Sequence, residues 1–265
     1  MTGPINIQRL YEQKQAKEKI CSLTAYDASF ARLLAECGVE ILLVGDSLGM
    51  VLQGADNTLK VTMDDMVYHT RLVASGAGNS FILADMPFMS YPAPERALEN
   101  AARLLAAGAQ MIKLEGGAWL LDTVRQLTQR GIPVCAHLGL TPQSVHKFGG
   151  YRVQGRDPTA AAAMVSDAQA LEQAGAELLV LECVPTPLAQ RITSAVTMPV
   201  IGIGAGPHCD GQVLVLHDLL GVSTRKPRMA KDFLQGAGSV RDAVRAYVQA
   251  VKTGAFPGPD QSFAD

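Results

Sequence analysis

Charge is scarce in this chain. Only 18% of its 265 residues are charged, and the formal net charge is −2. No basic field exists to hold a polyanion, which argues against nucleic acid as a partner. Cysteine is sparse too: Cys21, Cys37, Cys135, Cys183 and Cys209 are odd in number and scattered, with no Cys-x-x-Cys. That pattern argues against disulfides or a zinc site and for reduced core thiols of a cytoplasmic protein. No window is long and apolar enough to span a membrane. Residues 1–19 are polar and charged, without an apolar stretch of signal-peptide length. The first strand-to-helix turn, Tyr26-Asp27-Ala28-Ser29, lacks the glycine fingerprint of a dinucleotide-binding sheet.

What is present is a core. Hydrophobic residues make up 48% of the chain, a normal globular share. Short apolar runs predict strands at 20–25, 40–44, 81–84, 111–114, 133–138, 178–181, 200–203 and 213–216. Between them, helices are predicted at 30–37, 62–74, 92–107, 119–130 and 158–174, with a short one near Pro187. Asp27 reads as a helix cap, and Thr62 with Asp65 as a capping-box-like start. A helix at 5–16 should lie outside the main body. A helical tail should run from Arg228 to Val251, interrupted at 236–238, with 257–265 frayed. Segments 49–61 and 139–157 read as loops, the second long enough to be a lid or a subunit contact. Strands alternating with helices imply a parallel sheet. Eight such units over residues 1–265 fit one closed (β/α)8 TIM barrel domain. An open doubly wound sheet is the alternative.

The units echo one another. Cys37-Gly38-Val39-Glu40, Ala107-Gly108-Ala109-Gln110 and Ala174-Gly175-Ala176-Glu177 each stop a helix at glycine and lead into an apolar strand. Each of those strands ends in an acid: Asp46, Glu115 and Glu182. The stretch 40–50 shows the device plainly, with apolar Ile41 to Val44 giving way to Gly45-Asp46-Ser47. An unpaired buried carboxylate is costly, so a metal, a cationic partner or a helix cap must account for Asp46.

Asp46, Asp85, Lys113 with Glu115, His137 and Glu182 fall in order at the ends of strands two to six. In a barrel these ends converge on the face that carries catalysis. Each residue alone has a plain alternative: caps for the aspartates, an ion pair for Lys113 and Glu182, a core histidine for His137. Five consecutive ionisable strand ends favour an active site. Hard oxygen ligands without a cysteine cluster suggest Mg²⁺. Such a cation polarises a carbonyl, and a remaining carboxylate can act as base. The expected chemistry is proton abstraction beside a carbonyl, then carbon–carbon bond formation or cleavage. Gly202-x-Gly204-x-Gly206 reads either as a phosphate loop or as close packing in a tight turn.

Several stretches carry a resemblance. They are Val44-Gly45-Asp46-Ser47-Leu48-Gly49-Met50, Leu83-Ala84-Asp85-Met86-Pro87-Phe88, residues 134–143 (Val134-Cys135-Ala136-His137 through Thr141-Pro142-Gln143) and Leu181-Glu182-Cys183-Val184-Pro185. Gly202-Ile203-Gly204-Ala205-Gly206 and Asp210-Gly211-Gln212 belong with them. Together they resemble the ketopantoate hydroxymethyltransferase family, from about Cys21 to Asp218 and in the family's order. The resemblance implies a Mg²⁺-dependent barrel. It would move a one-carbon unit from 5,10-methylenetetrahydrofolate to the keto acid 3-methyl-2-oxobutanoate, giving 2-dehydropantoate for pantothenate synthesis. Asp46 and Asp85 would ligate the metal, with Glu115 in its shell through water. Asp46, Ser47, Asp85 and Lys113 would contact the keto acid, His137 would lie in the site, and Glu182 would be the base. A cytoplasmic homo-oligomer, a decamer of two pentameric rings, is also implied. The segment Thr224-Arg225-Lys226-Pro227-Arg228-Met229 looks shorter than the family's and has Met229 where an aromatic is common.

Three rivals stand beside this reading. One is a Mg²⁺ barrel related to phosphoenolpyruvate mutase and isocitrate lyase, although no Lys-Lys-Cys-Gly-His lid is present. Another is a Schiff-base aldolase with Lys113 as nucleophile. The last is a non-catalytic keto-acid-binding barrel, for which a spare base at Glu182 would have no use.

Overall fold

The structure is a computed structural model, and it describes residues 3–223 and 226–264. Thr224 and Arg225, part of the short segment noted above, lie outside the described residues. The first half runs α1 (Ile7–Ala16), β1 (Ile20–Thr24), α2 (Ala28–Glu36), β2 (Ile41–Val44), α3 (Leu48–Val51), α4 (Met63–Ala74), β3 (Phe81–Asp85), α5 (Pro94–Ala106) and β4 (Met111–Glu115). The second runs α6 (Leu121–Thr128), β5 (Val134–Gly139), α7 (Val145–Phe148), α8 (Pro158–Gln173), β6 (Leu178–Glu182), α9 (Thr186–Ala195), β7 (Val200–Ile203), β8 (Gly211–Leu214), α10 (Leu216–Leu219) and α11 (Val240–Lys252). All eight strands are parallel, each pairs with the next, and β8 closes onto β1 through Ile20 and Gly211. The fold is the closed (β/α)8 barrel, not the open sheet.

Alternation along each strand divides the core in two. Ile20, Ile41, Leu43, Phe81, Leu83, Met111, Cys135, Leu178, Val180, Ile201 and Val213 form one buried cluster inside the barrel. The alternate residues, such as Leu42, Val44, Ile82, Ala84, Ile112, Leu114, Leu179 and Leu181, pack outward with the helices. Strand residues buried on both sides explain why these runs read as continuously apolar.

The caps behave as their chemistry requires. The Asp27 carboxylate accepts from the backbone N–H groups of Ser29 and Phe30. Thr62 and Asp65 complete a reciprocal capping box. The glycine stops Gly38, Gly108 and Gly175 all hold positive φ, which is why glycine recurs there.

Several expectations need correction. The eighth strand is Gly211–Leu214, two residues early, so His217 and Asp218 lie in α10 rather than at a strand end. Pairing with Ile20 across the closing seam sets that register. The expected loop 49–61 begins as a helical turn, α3, and the 139–157 loop contains a 3-10 turn and α7. The segment after Glu115 opens as a 3-10 turn, Ala118–Leu120, and α6 ends at Thr128. The helix near Pro187 is ten residues long. The tail is not helical until Val240, where Ser239 accepts from the Asp242 N–H. Residues 257–264 are not frayed: the Thr186 N–H donates to the Phe263 carbonyl at 2.9 Å, and Ser262 is buried. All five cysteines are free and buried.

Candidate active site

Below the mouth of the barrel the inward positions are apolar apart from Ser22 on β1. One layer higher they become ionisable. Asp85, Lys113, Glu115, His137 and Glu182 continue the inward series of Phe81–Leu83, Met111, Cys135 and Leu178–Val180. The register places Asp85 beside Lys113, Glu115 beside His137, and Glu182 beside Gly139. Asp46 arrives differently. The inward position on that strand is Gly45, where a Cβ would stand 2.7 Å from Ser47 Oγ, so the chain turns and delivers Asp46 one residue later.

The side chains pack closely. The Lys113 ammonium lies 2.9 Å from Asp85 Oδ1, 3.7 Å from Glu115 Oε1 and 3.2 Å from His137 Nδ1. The Asp46 N–H donates to Asp85 Oδ2 at 3.0 Å. On the far side of His137, Nε2 faces Glu182 Oε2 at 3.3 Å. Neither aspartate caps a helix, since Ser47 holds the N-cap position of α3 without a side-chain bond. Ser47 Oγ instead meets the Tyr26 hydroxyl at 2.9 Å.

Burial sets the electrostatics. It pushes the Asp46 carboxyl well above the usual carboxylate range, and the charges of Asp85 and Glu115 add to the effect. Burial would lower Lys113, but Asp85, Glu115 and Asp46 outweigh it and hold the ammonium charged. Glu115 is likewise opposed by burial, yet His137 and Lys113 pull it below its ordinary value. Burial and Lys113 push the His137 imidazole down; the Glu115 and Glu182 carboxylates prevail and raise it.

The residues suit a hard divalent cation. Among the described residues no ready-made cluster of three histidine, cysteine or acidic ligands stands in place. Mg²⁺ does not need one, since it commonly takes one or two carboxylates and completes its octahedron with water and substrate. Asp46 and Asp85 supply two. Asp85 Oδ1 is buried and lacks a hydrogen bond of good angle, although the Lys113 ammonium is at ion-pair distance. Three acids face one lysine here, so a cation would relieve their repulsion.

Two residues not predicted for the site complete it. Gln143 is buried and donates from Nε2 to Asp46 Oδ2 at 2.8 Å and from its backbone to Glu115 Oε2 at 3.0 Å. The Tyr91 hydroxyl donates to Gln143 Oε1. Gln143 stood within the stretch 134–143, but a polar residue in a loop carries no periodic signal. Above the site, the Tyr151 hydroxyl reaches Met50 Sδ at 3.5 Å, so the 139–157 loop meets the β2 side of the mouth. The triple glycine has a packing cause: a Cβ at Gly206 would stand 2.5 Å from Thr186 Oγ1.

The family model for ketopantoate hydroxymethyltransferase matches residues 4–259. The chain belongs to the ketopantoate hydroxymethyltransferase family. It is 58% identical over 260 residues to the 3-methyl-2-oxobutanoate hydroxymethyltransferase of Photorhabdus laumondii, covering 98% of this chain and 99% of that protein. It is 60% identical to the Marinobacter nauticus protein of the same name, covering 98% of each. Among solved structures, phosphonopyruvate hydrolase with oxalate and Mg²⁺ matches with a TM-score of 0.61 at 14% identity, over 79% of this chain and 80% of that one. A phosphoenolpyruvate phosphomutase from Streptomyces platensis gives 0.62 at 14%, over 82% and 83%. Those two likenesses show the barrel alone. Membership of the hydroxymethyltransferase family makes the chain an enzyme of the transferase class.

Proposed function

We propose that this enzyme transfers a hydroxymethyl group from 5,10-methylenetetrahydrofolate to 3-methyl-2-oxobutanoate, giving 2-dehydropantoate, with Mg²⁺ at Asp46 and Asp85. The observation that carries the reading is the inward row of Asp85, Lys113, Glu115, His137 and Glu182, with Glu182 set beyond His137 from the other acids. The names of the relatives support the acceptor. Folate enters through the resemblance.

The cation, when bound, would polarise the keto oxygen and lower the cost of negative charge there. The Lys113 ammonium, held charged, faces the same region and would bind the substrate carboxylate. Glu182 would take the C3 proton. His137 Nε2, 3.3 Å away at ion-pair distance but without a hydrogen bond of good angle, would act on Glu182 through its charge. The C3 electron pair then forms the new carbon–carbon bond to the one-carbon unit. One water balances the reaction: its oxygen goes to the one-carbon unit and its two hydrogens to the two folate nitrogens as both carbon–nitrogen bonds break, and the proton taken from C3 ends on the new hydroxyl.

Proton removal needs no folate. Wild-type enzyme with Mg²⁺ should therefore exchange the C3 proton of 3-methyl-2-oxobutanoate with deuterated water, followed by proton NMR. Glu182→Gln keeps the shape but cannot accept the proton, so exchange and transfer should fall together by about 10²-fold or more. Exchange at the wild-type rate would place the base elsewhere, with His137 next to test.

A further inference from the structure

Gln143 lies just past β5, in the 3-10 turn that opens the long loop. Its side-chain nitrogen donates to Asp46 Oδ2 at 2.8 Å and to the Met86 carbonyl at 2.9 Å. Its backbone N–H donates to Glu115 Oε2 at 3.0 Å. The Glu115 backbone N–H donates to the Tyr91 oxygen at 3.3 Å, and Tyr91 donates onward to Gln143 Oε1. The bonds form a closed circuit. Glu115 leads through Tyr91 to Gln143, and Gln143 leads to Asp46 and back to Glu115.

The circuit has one consistent direction. The Tyr91 hydroxyl has two acceptors within reach, the Glu115 carbonyl at 3.5 Å and the much closer Gln143 Oε1, and its single proton goes to the closer one. That fixes the amide with its NH₂ toward Asp46 rather than its oxygen. Both hydrogens of that NH₂ are used, one on Asp46 and one on Met86.

We propose that Gln143 is a positioning residue for the cation-binding acids, coupling the docking of the 139–157 loop to the orientation of Asp46 and Glu115. The proposal rests on the Mg²⁺ reading given above. A neutral amide suits the task because it orients a carboxylate without cancelling its charge. An arginine or lysine in its place would form an ion pair and compete with the cation. A single residue reaches both acids, one by side chain and one by backbone. Outer groups of this kind orient metal ligands, and losing one typically costs 10- to 100-fold in metal affinity.

The test is Mg²⁺ binding by calorimetry on the full chain without substrate, with folding checked by circular dichroism. Gln143→Leu should bind Mg²⁺ at least about 10-fold more weakly than wild type. Tyr91→Phe removes the bond that sets the amide together with the acceptor of the Glu115 N–H, and should lose about 2- to 10-fold. The two changes should not add, because they break one circuit. Excess Mg²⁺ should restore C3 proton exchange to Gln143→Leu, which a loss of packing alone would not allow. Wild-type affinity in either folded variant overturns the proposal, and Tyr91→Phe decides it should Gln143→Leu not fold. Wild-type protein that binds no Mg²⁺ overturns the metal reading and this proposal with it.

Discussion

A lysine ammonium enclosed by carboxylates has no electron pair to give. Lys113 sits 2.9 Å from Asp85 and 3.7 Å from Glu115, and these charges hold its proton against the pull of burial. A Schiff-base lysine needs the reverse, a depressed pKa from desolvation or a neighbouring cation. Borohydride added with 3-methyl-2-oxobutanoate should therefore leave the mass of the protein unchanged. A trapped adduct on Lys113 would restore the aldolase reading. The same scale shows which site residues sequence alone reveals. Asp85, Lys113, Glu115, His137 and Glu182 are legible because each interrupts an apolar strand at its inward position. Asp46 is legible because the acid follows Gly45 at the strand end. Gln143, Tyr91 and Tyr26 are not, since loop residues have no period and tertiary packing alone aims them inward.

At the scale of elements, strands buried on both faces announce themselves, and β7 matches its expected span of 200–203. Ends depend on partners that the local sequence does not contain. Leu216 reads as strand by composition, yet its N–H donates to Thr24 Oγ1 and the chain has already turned into α10. The N-terminal helix was expected outside the body; it is outside the barrel wall but is bound to the barrel's base. Lys14 of α1 donates to the carbonyls of Thr193, Val196 and Met198 at 3.1, 3.1 and 2.8 Å, and pairs with Asp210 at 2.9 Å. These carbonyls lie at the end of α9 and in the link to β7, where backbone acceptors lack helical partners. Lys14→Met keeps the stem but leaves the three carbonyls without this donor and Asp210 without its cation, with the Val200 N–H still on its carboxylate. Stability should fall by about 2–3 kcal/mol, the usual cost of stranding part-buried polar groups. Urea denaturation reads the loss, while proton exchange per folded molecule should stay at the wild-type level because Lys14 is remote from the site.

For the whole molecule, the buried acids of the site are a source of instability that a bound cation would relieve. The folded state raises the Asp46 pKa well above the ordinary 3.8, through burial and then the charges of Asp85 and Glu115. Protonated Asp46 is therefore favoured by folding below the unfolded pKa. That advantage is lost as pH rises through the raised folded value, and the ionised acid opposes folding. On the proposed reading Mg²⁺ would bind the ionised form and the folded state, so it should raise Tm by mass action. At 100 times Kd the gain is about 2.7 kcal/mol, or roughly 5–10 °C for a chain of this size. The gain should be larger near pH 8 than near pH 5, since protons compete for Asp46 at the lower pH. Asp46→Asn separates the two effects. It removes the charge and keeps an oxygen for the Gln143 amide. The metal-free variant should melt above metal-free wild type and show little Mg²⁺-dependent rise. Scanning calorimetry at both pH values measures each quantity. A metal-free Asp46→Asn protein that melts below wild type would mean that Lys113 and Gln143 already compensate the Asp46 charge without a cation.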